Sequence, residues 1–242
     1  MNFARTLSFS LVFNSILLMA CQSIQPPSKS FDRHSAIKRI AILSIPEPEV
    51  FRVVQLPPSS LSALAIVGGP IVAMSVQANE EKKSEALTKS LTAAIKPLHP
   101  QIALIWARAL QEQLKIKGFD AVLIDGGDSP TISKEYSGLP VDFDAVLESR
   151  LTSVGIASFD GIRFLPSVGA AVQLRGRNSK KLLFSESYRY GAGPGSLGTV
   201  YVPAGANDAM NDLDSILSNP QIAIDRMSTG ATQIAVRVVQ VL

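Results

Sequence analysis

The side chains able to do chemistry in this 242-residue chain are few and scattered. There are two histidines, His34 in a polar Pro- and Ser-containing stretch and His99 beside Pro100. Neither has a second histidine, a thiol or a carboxylate at ligand spacing, so no metal site and no cofactor is expected. A Ser-His-Asp assembly would have to use His99 as its base, and no nucleophile-elbow motif accompanies it. Asp142 and Asp144 could leave one side of a strand as paired carboxylates. Such pairs do acid–base work when they stand across a cleft with separated pKa values. At a strand start beside a Pro-containing loop they read instead as solvated turn residues. Gly193-Pro194-Gly195-Ser196-Leu197-Gly198 matches the Gly-rich dinucleotide pattern in form. That pattern holds pyrophosphate only where it opens a helix. Here Thr199-Val200-Tyr201-Val202-Pro203 follows, extended and Pro-terminated, so the expectation is a plain loop. No catalytic constellation emerges, and a non-enzymatic protein is expected.

Two further groups of residues point to surfaces. Arg175, Arg177, Lys180 and Lys181 crowd the tip of an expected hairpin. They either meet anionic headgroups or an acidic partner, or only keep an exposed turn soluble. The second group lies in an uncharged run whose centre, 61–76, is very apolar and rich in small residues. At about 1.5 Å per residue this centre would span roughly 24 Å as a helix, slightly short of a bilayer core. Gly68-Gly69-Pro70 would break or kink it. Leu64, Ile66, Val67, Gly68, Gly69, Ile71 and Val72 are therefore candidates for membrane or subunit contact, because small residues allow close backbone approach. The plainer reading is a buried helix or helical hairpin packed on a sheet.

Cys21 is the only cysteine, so no internal disulfide is possible. It follows a secretory-signal pattern, with Arg5 ahead of an apolar stretch from Leu7 to Ala20. That stretch, about 14 residues, is too short to span a bilayer comfortably. Leu18-Met19-Ala20-Cys21 resembles the lipobox of bacterial lipoproteins. The resemblance implies cleavage between Ala20 and Cys21, with a covalent diacylglycerol and an N-acyl chain such as palmitate on Cys21. Three acyl chains imply lasting anchorage, since two already suffice. Gln22 stands where Asp would resemble the inner-membrane retention signal, so the expected address is the periplasmic face of a Gram-negative outer membrane.

The chain then divides into a signal segment (1–20), a lipidated cysteine and tether (21–36) and one folded domain (37–242). As a coil the tether averages roughly 20 Å, and fully extended it reaches about 50 Å. Composition is 46% hydrophobic and 18% charged, far from a disordered profile. A net charge of +3, about +2 without the signal segment, is too balanced for a nucleic-acid partner.

Periodicity predicts a first strand at 39–43, resuming near 50–54. Helical spacing of Leu87, Leu91, Ala94 and Ile95 follows, then a helix over about 100–117 closed by Gly118, and a strand over 119–124. In the helix, Ile102, Ile105, Trp106, Ala109, Leu110 and Gln113 share one face, with Arg108, Gln111, Glu112 and Lys115 opposite. Phe143, Ala145, Leu147 and Leu151 alternate with polar residues as in a strand covered on one side. Residues 168–175 and 181–190 read as a hairpin, with Glu186 oddly placed on the face of Phe184, Tyr188 and Tyr190. Met210, Leu213, Ile216 and Leu217 mark a short helix, and Asn219-Pro220 opens a last one with a continuous apolar stripe. The fold class expected is α/β (α+β): a single layered domain, its mixed sheet of about five strands covered by helices.

This series, from helix–Gly118–strand through Asp144-Ala145-Val146-Leu147-Glu148 to the hairpin and final helix, resembles a small α/β domain of several Gram-negative envelope proteins. They are the curli-secretion lipoprotein, the lipoprotein activators of penicillin-binding proteins, and the amino-terminal domain of the Tol-system translocation protein. The likeness covers roughly residues 38–240 and implies a domain that binds an envelope partner protein or assembles with copies of itself. It supplies no catalytic positions. The short tether favours a partner close to the outer membrane, or a homo-oligomer formed at its surface.

Overall fold

Strand β1, Arg39–Leu43, forms because its Ile- and Leu-rich alternation can be buried on both sides: Ile40 and Ile42 face one core, Ala41 and Leu43 a smaller one. A computed structural model describes residues 37–43, 45–55, 82–124, 142–158, 160, 162–191 and 198–242. The lipobox, His34, the apolar run 61–76 and the loop residues 193–197 lie outside the described residues.

After β1 come β2 (Arg52–Gln55), a helix α1 over 82–95, a 3-10 turn at Lys96–Leu98, α2 (Ile102–Ile116) and β3 (Asp120–Ile124). The long strands β4 (Ala145–Ser158), β5 (Phe164–Gly176) and β6 (Leu182–Gly191) follow. The chain continues with β7 (Thr199–Pro203), a short α3 (Leu213–Ser218) and the long α4 (Gln221–Val241). The described strands make one mixed sheet of seven, in the order β3-β1-β4-β5-β6-β7, with β2 also paired to β4. The expected count of about five is thus too low, and the fold class stands: α2 and α4 pack side by side over one face of the sheet.

The extra strands have a physical origin. On one edge β4 pairs in parallel first with β1 (Ile40↔Ala145) and then with β2 (Arg52↔Gly155), so two short strands lie end to end along one long partner. On its other edge it pairs antiparallel with β5. A bulge between Leu151 and Ser153 inserts one residue. Ala145, Leu147 and Leu151 therefore face the helices before it, Val154 and Ile156 after it. Odd positions give way to even ones, which hides the second half of β4 from a period-two reading. Phe143, just before the strand, joins the smaller cluster with Ala41 and Val146 instead.

The outer edge of β2 is closed by α1. Phe51 N–H donates to Thr92 Oγ1 (3.0 Å) and Val53 N–H to Thr88 Oγ1 (2.9 Å). Threonines one helical turn apart thus satisfy alternate amides along an edge that pairs with no strand among the described residues. Helix α2 starts at Ile102 rather than Pro100, and its end amides are capped from a distance. Glu47, between β1 and β2, accepts from Ala103 N–H (2.8 Å) and Leu104 N–H (3.4 Å). Desolvation at this helix end raises the Glu47 pKa, although the same amides pull it down. Gln111 is not solvated as its helical position suggested; its side-chain amide donates to Ala121 O (3.1 Å) on β3.

At the carboxyl end, Asp212 caps α3 by accepting from Ser215 N–H (2.8 Å), and Met210 bridges to Phe164 instead of joining that helix. Pro220, not Asn219, takes the capping position of α4. Gly230 of α4 lies flat against Tyr190 of β6, where a Cβ would come within 2.5 Å of the ring.

Two glycine positions give a direct check. A Cβ on Gly155 would overlap the carbonyl oxygen of Arg52, because β2 and β4 approach there backbone to backbone. Gly118 closes α2 at φ +95 with open space around it. Gly155→Ala should cost about 2–3 kcal/mol by prising β2 from β4, against about 1 kcal/mol for Gly118→Ala from backbone strain alone. Urea unfolding followed by the emission of Trp106, the only tryptophan and fully buried, measures both. Equal midpoints for the two variants would contradict the close approach.

Candidate functional site

The parallel strands β1, β3 and β4 all begin at one end of the sheet, and most of the charged residues singled out by sequence converge there. Arg39 opens β1. Its guanidinium pairs with Asp120 at the start of β3 (3.0 Å) and with Asp142 ahead of β4. It also lies over the Phe143 ring, 4.9 Å from the centroid, which adds a cation–π contact. Asp144 accepts from the backbone N–H groups of Lys38 and Arg39, both at 2.8 Å. Those two amides hold its carboxyl below the usual carboxylate range.

Asp142 and Asp144 therefore do different jobs. One neutralises Arg39 and the other fixes the chain where it enters the domain. Neither stands opposite the other as an acid–base pair. Both are more than turn residues, and the partner that distinguishes them, Arg39, lies far away in sequence.

The β5–β6 hairpin arrives at the same place. Its turn residue Arg177 donates its N–H to the carbonyl of Asp144 (3.0 Å), and Gly176 pairs with Ala145. Lys180 takes a left-handed conformation (φ 51), and Asn178, Ser179, Lys180 and Lys181 are exposed. Arg175 is set apart from the other basic residues. It turns onto the sheet face opposite α2 and α4, half-buried, meeting Glu148 (3.5 Å) and Gln173 Oε1 (2.8 Å). Arg177, Lys180 and Lys181 are thus the tip, and Arg175 belongs to the sheet.

Two buried tyrosines on β6 form a second polar cluster, beneath α4. Tyr188 O–H donates to Glu186 (2.6 Å), which accounts for a glutamate on an otherwise apolar face. Tyr190 O–H donates to Asp208 (2.5 Å), a buried carboxylate that also accepts from Gly205 N–H (2.7 Å) and lies 3.7 Å from Arg226. Burial first, and then the neighbouring carboxylate, push both hydroxyls far above the ordinary tyrosine range. At neutral pH both are hydrogen-bond donors: the Tyr190 bond ties β6 to the segment ahead of α3, while the Tyr188 bond stays within β6.

His99 is exposed at the end of a 3-10 turn (φ 46), and among the described residues no hydroxyl or carboxylate bonds its ring. Gly198 has φ 81 and leads straight into β7, so the chain after the Gly-rich stretch is a strand and not a helix. Among the described residues no cluster of His, Cys, Asp and Glu is arranged to hold a metal ion, and no helix is long and apolar enough to cross a membrane.

No known protein family and no curated protein matches the chain. Among solved structures it is similar to the lipoprotein GNA1162 from Neisseria meningitidis, at 14% identity and a TM-score of 0.26, over 76% of this chain and 98% of that one. A likeness that slight carries no argument about function.

The Asp144 bonds predict an acid-sensitive fold. Asp144→Ala should lose about 1 kcal/mol at pH 7 by freeing two amides at the domain's entrance. Because the folded-state pKa is lowered, the contribution of Asp144 is present above about pH 4 and is lost as pH falls through that lowered value. Asp144→Asn, which keeps an acceptor, should flatten that part of the pH dependence. Urea midpoints between pH 7 and pH 2.5 measure it, and superimposable profiles for the wild type and the Asp144→Asn variant would rule the assignment out.

Proposed function

We propose that this chain is a non-catalytic, lipid-anchored protein of the Gram-negative cell envelope, held by acylated Cys21 at the periplasmic face of the outer membrane. There its α/β domain recruits or regulates a partner protein. The observation that carries the non-catalytic part is the use made of its acidic side chains. Glu47 caps α2, Asp142 neutralises Arg39, Asp144 holds the root of β1, Glu186 and Asp208 hold tyrosines. Each is committed to the fold. The anchoring part rests on the Leu18-Met19-Ala20-Cys21 pattern, and the resemblance to envelope lipoprotein domains supports a protein ligand. A self-assembling envelope or secretion component, built through 61–76, is the competing reading from the same sequence.

The native protein, extracted in mild detergent, discriminates these readings. Its intact mass should be that of the chain from Cys21 onward plus three acyl chains, and Cys21→Ser should release it from the membrane fraction. Light scattering after size separation should give a monomer, with crosslinking in cells capturing an envelope protein. A discrete oligomer would replace the adaptor reading with self-assembly, and an unmodified precursor mass would remove the anchor.

A further inference from the structure

Resting on the anchoring reading above, we infer that the end of the sheet where β1 begins is a membrane-docking face. Its ligand is the phosphate-bearing headgroups of the anionic phospholipids in the leaflet that holds Cys21. The observation behind it is a convergence on one residue. The side chain of Asp144 binds the amides of Lys38 and Arg39, where the tether enters the domain, while its backbone carbonyl binds the amide of Arg177 in the hairpin turn. The root of the tether and the basic hairpin tip are therefore fixed side by side.

Distance then selects which end meets the membrane. Sixteen residues (21–36) separate Cys21 from the domain, and a chain of that length spans roughly 20 Å on average if it behaves as a coil. The 14-residue β4 carries the opposite end of the sheet about 45 Å further away. The tether root stays near the surface, and the hairpin tip with it.

The composition of this end fits a lipid surface. Exposed Lys38, Lys115, Lys180 and Lys181 lie there with half-buried Arg177 and with Lys117, whose ammonium closes the carboxyl end of α4 through Val239 O (2.6 Å) and Gln240 O (3.2 Å). Among the described residues, the aspartates of this end have partners of their own: Asp120 and Asp142 meet Arg39, and Asp144 accepts from two amides. Two large apolar side chains stand out among these cations, Ile116 at 72% exposure and Leu182 at 45%. Ile116 ends α2 just before β3 starts, and Leu182 starts β6 just after Lys181, so both project from the tether end. Each apolar side chain has cations next to it in the chain, Lys115 and Lys117 at Ile116 and Lys180 and Lys181 at Leu182. This mixture matches an interfacial bilayer, which offers phosphates at the surface and acyl chains just below. The opposite end, where β4 turns back into β5, exposes one acid and one base, Asp160 and Arg163.

The test uses the full lipidated protein with Asn178→Cys at the hairpin tip, labelled with an environment-sensitive fluorophore. Acylated Cys21 cannot react, so the label is unique. The protein is reconstituted in vesicles of phosphatidylcholine alone or with about a third phosphatidylglycerol, each containing a headgroup quencher. Strong quenching on the anionic vesicles and weak quenching on the neutral ones is expected. Neutralising Arg177, Lys180 and Lys181 to glutamine should lower the docked-to-undocked ratio by about a hundredfold, since each surface cation contributes several-fold. Ile116→Ser with Leu182→Ser should reduce quenching on both vesicle types. Equal, weak quenching on both compositions overturns the docking face while leaving the anchor intact. A label shielded in cells by an envelope protein but not by lipid assigns the face to a protein partner instead, and also overturns it. The intact mass of the same preparation reports the acyl chains separately. An unmodified Cys21 would overturn the anchoring reading and the orientation that rests on it.

Discussion

Strand β4 is the constraint on which the rest of the molecule is assembled. Fourteen residues long, it is hydrogen-bonded on one edge to β1 and then β2, and on the other to β5 along nearly its whole length. No single short strand could match it, so its parallel edge is filled by two pieces with the Pro46–Pro48 connection between them. Each piece brings a helix with it. The connection supplies Glu47 to the amino end of α2, and β2 supplies the amides that the threonines of α1 satisfy. The bulge after Leu151 keeps the helix-facing side apolar across a change of parity, with Gly169 opposite it because a Cβ there would come within 2.6 Å of Thr152 Oγ1. Remove that adjustment and the second half of β4 would turn Ser153 and Gly155 toward α4.

The same strand gives the molecule its polarity. Parallel β1, β3 and β4 begin together, so the backbone amides and charged residues of three strand starts accumulate at one end. The two antiparallel hairpins send their turns to opposite ends, the β5–β6 turn to the strand starts and the β4–β5 turn away from them. Arg39 is what makes the crowded end tolerable. It places one cation among Asp120, Asp142 and the Phe143 ring, leaving Asp144 free to bind backbone. Half-exposed pairs of this sort add little to global stability, and their main effect is to fix which side chains share that end.

Elements whose signal is local were legible in the sequence. The α2 stripe with its Gly118 close, β1, β3, the β5–β6 hairpin and the long stripe of α4 all follow from periodicity within a single element or a hairpin. What escaped depends on residues distant in the chain. β2 is expected near 50–54 as a continuation of the first strand, but its separate parallel pairing with the far half of β4 is not; that half of β4 is hidden by its own bulge. Glu186 looks misplaced until Tyr188 is seen to donate to it. At the candidate site the residue types were visible and the partnerships were not. Asp142 and Asp144 stand more than a hundred positions from Arg39, and no spacing rule links them. Arg175 reads as part of the basic tip because it is near in sequence, and its strand position turns it toward Glu148 instead.

Stiffness bears on the docking proposed for one end of this domain. Between β6 and α4, two tyrosine hydroxyls are buried, each donating to a carboxylate, and Gly230 lets the helix settle directly on the Tyr190 ring. Buried polar groups that are fully paired hold one arrangement well and adapt poorly, since any shift leaves a donor unsatisfied in a low-dielectric setting. β6 is therefore held at Tyr190, by the Asp208 bond and by α4 packed on the ring, and the hairpin that ends in Lys180 and Lys181 extends from that fixed point. A rigid base matters for recognising a surface. Cations presented in a fixed pattern lose less freedom on contact than cations on a mobile loop, so more of the electrostatic attraction remains as binding. The interior polar cluster and the basic tip are then parts of one arrangement: the first holds β6 in place, and the second uses that fixed strand to present charge beside the tether.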